Sequence, residues 1–229
     1  MESAVKGKDY VVNLIGLSPL RERAQRYEDV HVKGVVNIIK SCRKFKVKKY
    51  VHMSALGADK NSDVEYLKTK GLGEEVVNDS GINYLILCPS VIFGEGSELI
   101  GVLVKLSKFR MFPNVSTRIQ PIYVKDLSEL VMRKIEMKGS ERVETGGPEV
   151  MTLFDIAKLV YGKLNRPCMR MPMLFVELGI GFAATFGLFG IGYDQIKMLN
   201  KDNVVRDYKY AGFTRLDSWL DESEARKLN

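Results

Sequence analysis

From Tyr10 to Cys88 the apolar positions switch between short continuous runs and longer stretches with helical spacing. Continuous runs suit strands buried on both faces, and a 3.6-residue period suits the helices that cover them. The pattern predicts a strand over 10–15 ending at Gly16, a helix over 28–45 burying Val32, Val36, Ile39 and Cys42, and a strand over 49–53. A second helix over 65–79 stops at Ser80-Gly81, and a third strand over 82–88 stops at Pro89. Right-handed crossovers make this a three-stranded parallel sheet with both helices on one face and the other face bare. It reads as half of a doubly wound α/β fold. The first strand would then be an apolar edge, which calls for a protein partner or a second copy of the chain to cover it.

Beyond Phe93-Gly94 the texture is mixed. A helix is expected near 99–108, a loop at 112–114, a strand over 119–124, and helices over 126–137 and 152–164, with Gly146-Gly147-Pro148 as a turn. Thr152 and Asp155 approximate a capping box at the start of the last helix. The reading is therefore a partial dinucleotide-type domain over 1–94 and a small α+β substrate region over 95–229, with the strand at 119–124 able to return to the main sheet. No fixed-period repeat is visible.

Composition narrows the function classes. A chain of 229 residues, 45% apolar, can bury a real core and is neither disordered nor fibrous. Cys42, Cys88 and Cys168 are few, odd in number and unclustered, so neither a disulfide framework nor a metal site is expected. The net charge of +7 favours anionic partners such as nucleotides or anionic lipid. The densest basic run, 43–49, falls between a helix and a strand, where cations suit a helix C-terminus. Without a recognised reading module, nucleic acid is not expected. Met1–Asp9 carries Glu2, Lys6, Lys8 and Asp9 rather than a leader pattern, which points to the cytoplasm. The segment 173–193 holds one charge, Glu177, and is long enough to span a bilayer. Its five glycines and its glutamate favour a core or interface helix, with peripheral membrane contact left open.

The candidate chemistry lies in the helix that follows the second strand. Tyr66 and Lys70 stand at i and i+4, on one helical face. A phenol titrates near ~10, so acid/base work at neutral pH needs a neighbour such as an ammonium. Ser54 ends the preceding strand at the carboxyl edge of the sheet, where its hydroxyl could orient a substrate oxygen.

His52–Asp59, Tyr66–Lys70 with Gly73-Glu74, Pro89–Gly94 and Gln120–Asp126 follow one another as landmarks of the atypical extended short-chain dehydrogenases/reductases, which the chain resembles over nearly its whole length. Gly146–Thr152 and Asp194–Val205 are similar to the branch containing the dinucleotide-binding accessory subunit of respiratory complex I and its prokaryotic relatives. The resemblance implies a Rossmann fold, of which this chain would hold the second half, with NAD or NADP as cofactor. It implies Tyr66 as catalytic acid/base, Lys70 as the residue that holds the nicotinamide ribose and lowers the Tyr66 pKa, and Ser54 as the substrate-orienting hydroxyl. Asn13 and Gly16 would lie along the dinucleotide, with Pro89, Ser90, Val91 and Ile92 beneath the nicotinamide. Two positions depart from the family's habit: His31 stands where many relatives have Asn at a helix start, and Cys88 where many have Arg.

Met1–Tyr10 resembles the stretch before the family's fourth strand, so the Gly-rich phosphate turn is expected upstream of Met1, and weak dinucleotide binding by these residues alone, or none, is expected with it. Gly179–Ala184 matches the loose G-x-G-x-x-A pattern without its β-α-β context. The functions implied are hydride transfer at a carbonyl or alcohol carbon of an unknown small-molecule substrate, a non-catalytic dinucleotide-holding subunit of a respiratory NADH dehydrogenase, or nucleotide-sugar epimerisation or dehydration.

Overall fold

The switch between apolar runs and helical spacing is realised as alternating strands and helices in a computed structural model, which describes residues 1–19, 26–172, 197–198, 201–206 and 212–222. In chain order the elements are α1 (Glu2–Val5), β1 (Tyr10–Asn13), a π-helical turn (Asp29–Lys33) leading into α2 (Gly34–Lys44), β2 (Lys49–Met53), α3 (Glu65–Asn78) and β3 (Tyr84–Pro89). Then come β4 (Ile92–Phe93), α4 (Glu98–Leu106), a 3-10 turn (Ser107–Phe109), β5 (Met111–Pro113), β6 (Arg118–Ile119), β7 (Ile122–Tyr123) and α5 (Val124–Lys134). β8 (Glu141–Thr145), β9 (Met151–Thr152), α6 (Leu153–Lys163), β10 (Met169–Met171) and α7 (Leu216–Glu222) complete the described elements.

Two compact units result. The first comprises Met1–Pro89 with Leu127–Thr145, and the second the described parts of Ser90–Asp126, Gly146–Arg206 and Ala211–Asn229. The first unit is built on a parallel sheet in the order β1-β2-β3-β8, the α/β arrangement expected from the alternation. Its fourth strand is a correction. Ile119–Val124 does not join this sheet: Arg118–Ile119 pairs with β9 and Ile122–Tyr123 with β4. The place beside β3 is taken by Glu-Arg-Val-Glu-Thr, which reads as a polar loop because only Val143 and Thr145 point into the core.

A second correction concerns the sheet's other face. Tyr50, Ile86 and Cys88 pack with Val35, Ile38, Ile39 and Val77 of α2 and α3. The alternate residues Val51, Leu85 and Leu87 are equally buried. On their side of the pleat, Lys49 Nζ donates to the carbonyls of Lys134 and Met137, which puts the end of α5 there. That face is bare only if the chain is read no further than residue 88.

The third correction is one of phase. The five-residue π turn adds a residue ahead of α2, so the buried stripe is Val35, Ile38, Ile39 and Cys42, with Val32 and Val36 half-buried. The turn also brings His31 into the interior. α3 approaches it closely: a Cβ at Gly73 would come within 2.5 Å of the His31 carbonyl oxygen.

In the second unit, Phe93, Leu103, Phe112, Ile156, Tyr161, Trp219 and Leu220 are among the residues of a separate core. The expected capping box of α6 is present, with Thr152 Oγ1 accepting from Asp155 N at 3.1 Å and Asp155 Oδ2 accepting from Thr152 N at 3.2 Å. The segments 173–193 and Gly179–Ala184 lie outside the described residues. Among the described residues no helix is long and apolar enough to cross a membrane, and no group of three His, Cys, Asp or Glu is placed to hold a metal.

Candidate functional site

The site lies in the first unit, where β1 and β2 end and α3 begins. β1 stops at Asn13 because its side chain closes the next turn. Asn13 Oδ1 accepts from Ile15 N at 3.0 Å, and Asn13 Nδ2 donates to the Tyr50 hydroxyl at 2.8 Å. The buried Asn13 amide therefore shapes the turn from within. Gly16 follows, and a Cβ there would lie 3.2 Å from Lys70 Nζ, so glycine lets the turn sit beside the ammonium.

Lys70 is buried, 6% exposed, and its ammonium lies 6.0 Å from the centre of the Tyr66 ring. It donates to the Met53 carbonyl at 3.0 Å, its one protein acceptor among the described residues. An ammonium has three donors, so two remain unspent in a buried position. Burial drives the Lys70 pKa down to about 8, opposed by Cys88 and Glu74.

Tyr66 is partly exposed, and its hydroxyl has no hydrogen bond among the described residues. Its ring meets Tyr27 and His31 edge-on, at 5.7 Å to each. Burial pushes the phenol above its ordinary pKa, with Tyr27 adding to the effect. The expected lowering by Lys70 is reversed here: loss of hydration outweighs a cation six ångströms off.

His31 occupies the position noted for its departure from Asn. Its Nε2 accepts from Leu17 N at 3.0 Å, so the proton belongs on Nδ1, which donates to Thr69 Oγ1 at 3.0 Å. Thr69 in turn donates to the Glu65 carbonyl. Thus His31 ties the turn after β1 to the start of α3. Burial, and then Lys70, hold its pKa down to about 3. His52, fully buried on β2, has both ring nitrogens without a hydrogen bond. Its pKa is likewise lowered to about 3 by burial, then by Lys70 and His31.

The structure does not bring Ser54 to Tyr66 by a hydrogen bond. The Ser54 hydroxyl donates to Glu74 Oε1, which also accepts from the Cys88 thiol at 3.3 Å. Glu74 Oε2 accepts from Arg142 Nε at 2.8 Å, and Arg142 reaches on to Glu144 at 2.8 Å. Register explains the convergence: Ile86 pairs with Arg142 and Cys88 with Glu144, so β8 delivers the guanidinium to β3. Of this network only Ser54 was among the expected site residues; Glu74 and Arg142 were not. Its signal was Glu74, four residues after Lys70 on the same helical face as the Tyr-Lys pair.

The segment from Pro89 is placed differently. The Pro89 carbonyl accepts from Leu56 N in the first unit. Ser90, buried in the second unit, donates to Asn203, the Val91 carbonyl accepts from Ile122 N, and Ile92 pairs with Ile122. The Ser90 hydroxyl is thus spent on Asn203.

These residues fit the ribose and nicotinamide half of a dinucleotide. Two buried ammonium donors and a phenol hydroxyl lack partners among the described residues, and vicinal sugar hydroxyls are acceptors of matching size.

Residues 1–116 match the model of a family described as NAD(P)H-binding. The chain is 30% identical over 198 residues to the mouse mitochondrial NADH dehydrogenase (ubiquinone) 1 alpha subcomplex subunit 9, covering 82% of this chain and 51% of that protein. It is 29% identical over 163 residues to the mitochondrial NADH-ubiquinone oxidoreductase 40 kDa subunit of Neurospora crassa, covering 70% and 43%. The chain thus spans about half the length of these curated relatives. Among solved structures, UDP-glucuronic acid 4-epimerase from Bacillus cereus, in complex with UDP-glucuronic acid and NAD, superposes with a TM-score of 0.70 at 14% identity, covering 99% of this chain and 77% of that one. The NADP complex of dTDP-4-dehydrorhamnose reductase from Bacillus anthracis gives 0.61 at 16% identity, covering 72% and 66%. At such identities these two share the fold, a Rossmann-type α/β sheet. With half its length matched and that sheet present, the chain belongs to the NAD(P)H-binding family, whose cofactor class is NAD or NADP.

Proposed function

We propose that this chain holds the ribose–nicotinamide half of NAD or NADP as a structural ligand and does not turn it over. Lys70 supplies two hydrogen bonds to the ribose hydroxyls, Tyr66 a third polar contact, and the turn at Gly16 lies alongside. The observation that carries the reading is the fate of Ser54. A hydroxyl has one proton, and that of Ser54 goes to a buried carboxylate, so it has none to donate to a substrate carbonyl. Two relatives named as subunits of NADH dehydrogenases support an accessory role in a larger assembly. The edge strand β1 suits a protein partner, since Tyr10 and Val12 are exposed along it and Leu14 and Ile15 just beyond its end.

The test is equilibrium titration with NADH and NADPH by fluorescence, followed by absorbance of the bound cofactor in the presence of small aldehydes and ketones. Binding with no carbonyl-dependent oxidation is expected. Sustained oxidation that is lost in Tyr66→Phe would overturn the structural reading in favour of hydride transfer with Tyr66 as acid/base, while absence of binding to either cofactor would overturn both.

A further inference from the structure

The second unit carries a surface, formed by α4, the 3-10 turn, β5 and β10, that is at once apolar and cationic. The geometry points to it as a docking face for an anionic lipid bilayer. Val102, Lys105 and Phe109 stand at i, i+3 and i+7, on one side of the helix and its continuation. Phe109 is 67% exposed, and Val102 is exposed on the same side. β5 and β10 pair in parallel with Met111 opposite Met169, which sets both exposed methionines side by side. Clustered large apolar side chains of this kind mark an interaction surface more often than scattered ones do.

Charge identifies the occupant. Residues 98–113 and 164–172 contain Lys105, Lys108, Arg110, Arg166 and Arg170 against one acid, Glu98 at the start of α4. Lys105, Lys108 and Arg110 are exposed and make no ion pair among the described residues. The scaffold beneath is fixed. Met169 N donates to the Arg110 carbonyl at 2.9 Å, Arg166 holds Ser107 Oγ at 2.6 Å, and the Tyr161 hydroxyl donates to the Met111 carbonyl at 3.1 Å. A preformed turn therefore presents Phe109 between Lys108 and Arg110. Nucleic acid or an acidic protein surface would satisfy the cations and leave Val102, Met111 and Met169 without an apolar environment. The headgroup layer supplies both, phosphates for the cations and acyl chains for the side chains between them.

Vesicle flotation tests this with phosphatidylcholine alone and with added phosphatidylglycerol. The chain should float with the anionic vesicles and release at high salt. Affinity should fall about fivefold for each of Lys105→Gln, Lys108→Gln and Arg110→Gln, and about tenfold or more for Phe109→Ala. Thermal unfolding of these variants should be unchanged, since all four side chains are exposed. The inference is overturned by flotation that is equal in Phe109→Ala and the parent chain, which assigns the contact elsewhere. It is also overturned by no flotation at all, or by retention on duplex DNA or heparin with no vesicle binding.

Discussion

Lys70 and Glu74 stand one turn apart on the same helix, and their polar groups are in opposite condition. Both oxygens of Glu74 are taken, by Ser54 and Cys88 on one side and Arg142 on the other. Lys70 keeps two of its three donors unspent, and the Tyr66 hydroxyl beyond it has no partner among the described residues. The saturated end fixes α3 against β2, β3 and β8. The unsaturated end carries a desolvated cation that the described residues satisfy only in part. Ligand-binding capacity is legible here as hydrogen-bonding capacity left over after folding.

The contrast makes predictions of opposite sign. Arg142→Met should have the largest effect, destabilising the chain by about 2–4 kcal/mol in denaturant unfolding, because it strands a buried Glu74. The lower end of that range allows for Arg142 being about a third exposed. Glu74→Gln in the same background should restore part of the loss. Lys70→Met should instead stabilise the chain at pH 7, by about 1–2 kcal/mol, because it removes a buried charge while keeping the packing. The sign follows from linkage. The Lys70 pKa is lowered to about 8, so from there up to its ordinary value near 10.5 the unfolded chain binds more protons and the parent gains stability. The advantage of Lys70→Met should therefore shrink across that window, which unfolding at pH 7 and pH 10 will measure.

The two histidines give a smaller, graded effect. Both are buried neutral with pKa values about 3, against 6.5 when unfolded. Their contribution is complete above about pH 6.5 and declines below it, by up to about 1.4 kcal/mol per pH unit for each ring. Proton NMR should show neither ring titrating between pH 7 and 5 in the folded chain. The smallest effect belongs to Tyr66→Phe, which should leave dinucleotide affinity within about tenfold, since one neutral hydrogen bond contributes about 0.5–1.5 kcal/mol.

The apolar run at Tyr84–Pro89 and the spacing of α3 made the parallel core readable, because burial on both faces leaves no choice but continuous apolar residues. Glu141–Thr145 was not readable: it hides as a strand behind charges whose partners lie on other elements. The π turn at Asp29–Lys33 shifted the buried face of α2 by an amount that no period-3.6 reading contains. In the site, Tyr66 and Lys70 were visible from their spacing on a helix that follows a strand ending in Ser54, and Asn13 and Gly16 from the family resemblance. Ser54 was visible as a residue but not in its bonding, since its partner Glu74 is set by how α3 lies across β2. His52, with two unpartnered ring nitrogens, has no explanation in the packing around it.

The most direct test of the account is calorimetric titration of NADH and NADPH into the parent chain, Lys70→Met and Tyr66→Phe under one set of conditions. Two charge-assisted hydrogen bonds to the ribose, at about 1.5–3 kcal/mol each, should make Lys70→Met weaker by about a hundredfold or more at the preferred cofactor, with Tyr66→Phe close to the parent. Equal affinity in the parent chain and Lys70→Met would show that the unspent donors of Lys70 are not where the dinucleotide binds.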